Sequence, residues 1–196
     1  PISSSQGNIN MSGGTIGSTT AKVSSVISMS YYPTTLEISG SASILTKEGK
    51  CISISGSSSS GNNKPTFNMY GGNLYSSDSY VIDTSYGAIV TIYDGTIKSD
   101  KSIALNIGTS GNVTIYGGEL IGKTYGAYLT SGTLTLGTNN SEIKLEPVIK
   151  GDTYGVYNKG GTFKFYDGVL KGKNSSVYYG NITTTACIST YSFNIN

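Results

Sequence analysis

The chain copies itself. Val90-Thr91-Ile92-Tyr93-Asp94-Gly95-Thr96-Ile97 returns 23 residues later as Val113-Thr114-Ile115-Tyr116-Gly117-Gly118-Glu119-Leu120, and the same step backwards reaches Phe67-Asn68-Met69-Tyr70-Gly71-Gly72-Asn73-Leu74. Looser copies begin at Ile9, Leu36, Leu134 and Phe163. A period in this range marks stacked coils, because a unit this small cannot bury an apolar face alone and must use its neighbours as core. Seven starts predict about seven coils.

Within each copy the first and third residues are apolar (Phe67/Met69, Val90/Ile92, Val113/Ile115, Phe163/Phe165) and the residue between them is polar (Asn68, Thr91, Thr114, Lys164). That alternation is a strand with one face buried. A Gly-Gly or Asp-Gly pair follows, where a positive φ costs little, and then a second short strand such as Asn73-Leu74 or Glu119-Leu120. A further apolar segment recurs as Tyr80-Val81-Ile82, Ile103-Ala104-Leu105, Ala127-Tyr128-Leu129, Val156-Tyr157 and Val177-Tyr178. The pattern predicts an all-β fold, a single-domain right-handed parallel β-helix with a period near 23 residues. It spans 1–196 as one domain, with a regular core at 67–170 and looser or capping coils at 1–66 and 171–196. An antiparallel sandwich also suits turn signals at regular intervals, but sandwiches have no reason to repeat in sequence.

Departures from the period mark excursions. Surplus residues fall in the Ser-rich run 56–65 and in 138–147, both read as surface loops. The 23-residue offset places Asp78 beside Lys101 and Asp100 beside Lys123 on neighbouring coils. Exposed pairs of this kind contribute ~0.2 to 1 kcal/mol and help register more than stability.

The composition narrows the chemistry. There is no His, and all 13 basic residues are Lys, so the usual general base and the bidentate phosphate reader are both missing. A net charge of +2 without a basic stripe argues against a nucleic-acid partner. No apolar run approaches the ~18 to 20 residues that span a bilayer as a helix. Abundant Gly (27) and Tyr (16), with only 12% charged residues, suit an extracellular β-protein. Cys51 and Cys187 fall about five coils apart, ~20 to 25 Å at ~4.8 Å per rung, whereas a disulfide needs Cα atoms within ~7 Å. Both are expected to be unpaired and packed inside. With no initiator Met or leader, the chain reads as a mature or excised piece.

The motifs MSGGTI at 11–16, MYGGNL at 69–74, IYGGEL at 115–120 and YGVYNKGGTFKFYDG at 154–168 resemble the tandem units of Gly-rich, right-handed parallel β-helix surface proteins of bacteria. The resemblance covers roughly 9–180 and implies a cell-surface or secreted location, with an adhesin-like or structural role. It brings no catalytic residue. The same fold family includes polysaccharide lyases and phage tailspikes, so the fold alone leaves function open.

One constellation stands out as a binding candidate. Tyr70, Tyr93, Tyr116 and Tyr166 share one outward phase, and the first three are expected to stack at ~4.8 Å. Such a row could offer sugars a stacking platform, with Asn68, Thr91 and Thr114 supplying hydrogen bonds, although tyrosine rows also serve simply to stabilise a sheet. Among carboxylates, Asp94 and Asp167 share a phase but lie too far apart to act together, and Asp78, Asp83 and Asp100 have simpler lysine partners. No acid pair of the glycosidase kind and no calcium loop is legible. Ranked hydroxyls at Thr91, Thr114 and Thr135 lack the flatness of an ice-binding face, since bulky Tyr and Lys164 interrupt them.

The reading that results is a structural or adhesive solenoid module with no catalytic residue, metal or cofactor expected. Its expected partners are a host or environmental polysaccharide or a surface protein, with end-to-end association or further repeats at the open edges. Glycan recognition along the tyrosine column is the alternative. A lyase or hydrolase working between the loops at 56–65 and 138–147 is the weakest.

Overall fold

The computed structural model describes residues 1–57, 64–140 and 146–179, with Tyr179 described by its backbone alone. Among these residues there is no helix, and every strand pairing is parallel. Hairpins would have given antiparallel pairs, so the sandwich alternative is excluded. The chain is a parallel β-solenoid of about seven turns.

Three ladders run along it. The first joins Gly7–Met11, Thr34–Ile38, the leading halves of Thr66–Ser76 and Ile89–Ser99, Asn112–Ile115, Thr133–Leu136 and Thr162–Phe165. The second joins Thr15–Gly17, Ser43–Thr46, the trailing halves of the same two long strands, Glu119–Gly122, Val148–Gly151 and Val169–Gly172. The third joins Ile2–Ser4, Lys22–Ser30, Glu48–Ser55, Ile82–Ser85, Leu105–Ile107, Tyr125–Leu129, Tyr154–Asn158 and Ser175–Tyr179. Each coil contributes one strand to each face.

All seven starts legible in the repeat, Ile9, Leu36, Phe67, Val90, Val113, Leu134 and Phe163, are register partners in sequence. The period averages about 25 residues instead of 23, because corners absorb insertions while the ladders keep register. The surplus stretches 56–65 and 138–147 fall between Glu48–Ser55 and Thr66–Ser76 and between Thr133–Leu136 and Val148–Gly151 in the sequence, and 58–63 and 141–145 within them lie outside the described residues. One alignment needs correction. Leu105 pairs with Ala127 and Ile107 with Leu129, so Ala127-Tyr128-Leu129 matches 105–107 and not 103–105. A shift of two keeps the same face inward, which is why the burial pattern concealed it.

Inward side chains form columns of like residues. Ile38, Met69, Ile92, Ile115 and Leu136 are fully buried in one, with Met11 and Phe165 partly buried at its two ends. Ile27, Ile52, Ile82, Leu105, Ala127 and Val156 form another on the third face.

The corners explain the glycines. Between the first and second faces, Gly95 takes φ +114, and a Cβ there would lie 2.5 Å from Met69 Cε. Between the second and third faces, two solutions divide the molecule. In the earlier coils Thr46, Ser76 and Ser99 are buried and spend their hydroxyls on the turn: Ser99 Oγ donates to Ser79 O at 2.8 Å and accepts from Ser102 N at 3.0 Å. In the later coils Gly122, Gly151 and Gly172 stand at this corner, with two residues linking the strands, against five after Ser76 and Ser99. A Cβ on Gly151 would sit 2.0 Å from Tyr154 O, so only glycine fits.

Candidate functional site

On the outer side of the first face, Asn68, Thr91, Thr114, Thr135 and Lys164 fall in one row, in register. Beside it stands the tyrosine column. Tyr70 and Tyr93 stack with ring centroids 4.8 Å apart and planes 7° from parallel, and Tyr93 and Tyr116 follow at 5.4 Å and 24°. Tyr70 and Tyr93 are 47% and 44% exposed, and Tyr116 is half-buried. Tyr166 keeps the phase but stands one coil beyond the stack, because Gly137 occupies the intervening rung. Asp167 fills that place: a Cβ on Gly137 would meet its backbone N at 2.6 Å.

Near-parallel rings at this separation turn their faces to one another along the axis and do not lie side by side. The column therefore offers solvent ring edges and phenol groups. Asn68, Thr91 and Thr114 line the adjacent row, where their polar groups can reach the same ligand.

A second aromatic group, which the sequence reading did not single out, lies on the third face. Tyr128, Tyr157 and Tyr178 are register partners, as are Tyr125 and Tyr154. Their rings form one cluster, with centroids from 4.6 Å (Tyr157 to Tyr178) to 5.7 Å (Tyr125 to Tyr128). Burial, and then the neighbouring phenols, push the Tyr125 and Tyr157 hydroxyls above their usual pKa. The signal was present in the recurring Ala127-Tyr128, Val156-Tyr157 and Val177-Tyr178. In the same outward row of the earlier coils stand Ser53, Asp83 and Asn106, the last donating to Asp83 Oδ1 at 2.7 Å. This face thus changes from polar to aromatic where the corners change from hydroxyl to glycine.

The carboxylates singled out from the sequence, Asp78, Asp83, Asp94, Asp100 and Asp167, have structural partners. Asp94 and Asp167 each accept the N–H of the following corner glycine at 2.7 Å. Lys101 meets Asp78 at 2.8 Å, as the repeat predicts, and this hydrogen bond foremost holds the Asp78 carboxyl below its usual range. The expected Asp100–Lys123 pair does not form. Asp100 accepts from Tyr75 Oη at 2.6 Å and pairs with Lys98 at 2.9 Å, and these two, in that order, lower its pKa. Lys123 instead pairs with Asp152 one coil further on. Lys50 pairs with Asp83, and Lys150 with Glu119. No group of three or more metal-ligating side chains occurs among the described residues.

Cys51 is buried and unpaired, its thiol donating to the carbonyls of Ile44 and Tyr75 at 3.3 and 3.1 Å. Cys187 lies outside the described residues.

Compared with protein-family models, with curated proteins and with solved structures, the chain finds no match in any of the three.

Proposed function

We propose that this chain is a structural and adhesive module of a bacterial cell-surface or secreted protein, a stiff rod that holds rows of side chains and loops away from their anchor. The observation that supports it is the continuity of three parallel ladders through every coil, which turns each outward position into a row with ~4.8 Å spacing. Seven coils at that rise give a rod of ~34 Å. Pulling on the chain by its two ends tests the mechanical role. A spacer yields in coil-sized steps as terminal coils peel first, whereas release of the whole chain at the first low-force event would remove this reading.

Glycan recognition is the second reading, favoured by the exposed, stacked Tyr70, Tyr93 and Tyr116 beside Asn68, Thr91 and Thr114. With ring faces closed inside the stack, a saccharide is read by phenol hydroxyls, ring edges and the row of Asn and Thr. A glycan array probed with the parent and with Tyr93→Ala decides it. Binding lost in a variant that melts like the parent supports the site; binding unchanged by the substitution removes it.

A further inference from the structure

Tyr157 and Tyr178 sit opposite each other on the last two described rungs of the third face, in register, with ring centroids 4.6 Å apart and planes 18° from parallel. Tyr125, Tyr128 and Tyr154 each touch one or both of these rings, so five phenols form a connected path. Register and near-parallel stacking together bring the two rings face to face. Among the described residues the strand Ser175–Tyr179 pairs with Tyr154–Asn158 alone. Val177, which anchors it, is only partly buried. Cys51 cannot supply a covalent fastening, because it is buried in an earlier coil.

We infer that Tyr157 and Tyr178 form an oxidative modification site, at which a one-electron oxidant of the haem-peroxidase class joins the two rings as a dityrosine staple between coils. Each phenol gives up one electron and one proton, leaving a radical with spin on the carbons ortho to oxygen. One carbon–carbon bond forms between the two Cε atoms, and the hydrogens displaced from those carbons move to the oxygens, restoring two phenols. Two electrons and two protons leave in total, and hydrogen peroxide takes them up as two molecules of water. A radical formed on Tyr125, Tyr128 or Tyr154 reaches the same pair through ring contact. The site goes beyond the scaffold reading and does not depend on glycan binding.

Exposure alone predicts a different outcome. Tyr31, Tyr32 and Tyr86 are 62%, 52% and 48% exposed, against 39% for Tyr178, and none has a ring partner among the described residues. Oxidation governed by access would give coupling between chains through those three. Stacking predicts bonds within one chain; the Tyr70–Tyr93 stack competes for the same chemistry, and Tyr157–Tyr178 is set apart by the three further rings that touch it and can pass a radical on to it.

The test treats the dilute intact chain with a haem peroxidase and hydrogen peroxide, followed by trypsin and mass spectrometry. The expected product joins peptide 151–159 to peptide 174–196 with the loss of two hydrogens, and raises the melting temperature. It should survive Tyr154→Phe and disappear in Tyr157→Phe and in Tyr178→Phe, with dityrosine fluorescence falling by more than half in either. Each Phe variant keeps its ring in the stack, and an unchanged melting curve before oxidation confirms the fold. The inference is overturned if the joined peptide persists in either variant. It is equally overturned if coupling runs only between chains through Tyr31, Tyr32 or Tyr86, or if no dityrosine forms.

Discussion

Burial pushes the Cys51 thiol up to about 12, so near neutral pH it stays protonated and gives the wall of the core a small apolar surface. The thiolate is the reactive form, and here it is both scarce and out of reach. In a Cys187→Ser background, a thiol reagent such as dithionitrobenzoate should find no reactive group in the folded chain and one after denaturation. Rapid reaction in the folded state would show that the coil around Cys51 opens readily. Ser99 and Gly151 stand at one corner of different coils and are not interchangeable with alanine, for opposite reasons. Ser99→Ala removes the donor to Ser79 O and the acceptor of Ser102 N–H, and should cost about 1–3 kcal/mol for groups left unsatisfied in a buried turn. Gly151→Ala adds a methyl 2.0 Å from Tyr154 O and should cost at least about 1–3 kcal/mol through overpacking. Urea midpoints at constant slope measure both, and a neutral result for either would mean that its corner relaxes freely.

At the scale of the strand and its corner, the sequence was most legible where the ladder dictates the residue and least legible where the corner does. Inward positions recur because every rung must fill the same space, so Ile9, Leu36, Phe67, Val90, Val113, Leu134 and Phe163 could be aligned by residue type alone. Ion pairs depend on the route between ladders, which changes from coil to coil. A constant offset therefore found Asp78–Lys101 and missed Asp100, whose carboxylate lies nearer Tyr75 and Lys98 than the next coil's lysine. The third-face cluster escaped for a related reason. On a regular strand Tyr125 and Tyr128 would point to opposite sides, but Gly126 and Ala127 are both buried, which brings both tyrosines out on the same side. The pairs that do form set a pH dependence. Asp78 and Asp100 have folded-state pKa values below the usual ~3.9, so their contribution is complete above that value and is lost as pH falls through the lowered ones. Melting temperature should fall as pH is lowered below ~4, and the fall should be shallower in an Asp78→Asn, Asp100→Asn double variant. An identical acid profile for parent and variant would show that other carboxylates carry the effect.

For the whole molecule, what matters is that the solenoid is a one-dimensional stack whose coils take core contacts from the neighbour on each side. A lesion should therefore matter by its position as well as by its chemistry. Ile92 is fully buried in the central column, with Met69 on one side and Ile115 on the other. Ile16, in the second-face strand of the first coil, is only partly buried and pairs with Ile44 on one side alone among the described residues. Ile92→Asp places a carboxylate where neither water nor a hydrogen-bond partner reaches it, a loss larger than the ~2–5 kcal/mol of a simple truncation. It should divide the stack into two short pieces that cannot each bury enough surface, so the central coils lose protection from hydrogen exchange together. Ile16→Asp should cost much less, fraying the first coil and leaving exchange in the coils around Val113 unchanged. Hydrogen exchange resolved along the chain separates these outcomes. A cooperative melt near the parent's temperature for Ile92→Asp would refute its inward placement, and equal damage from both substitutions would refute the nearest-neighbour view of the stack.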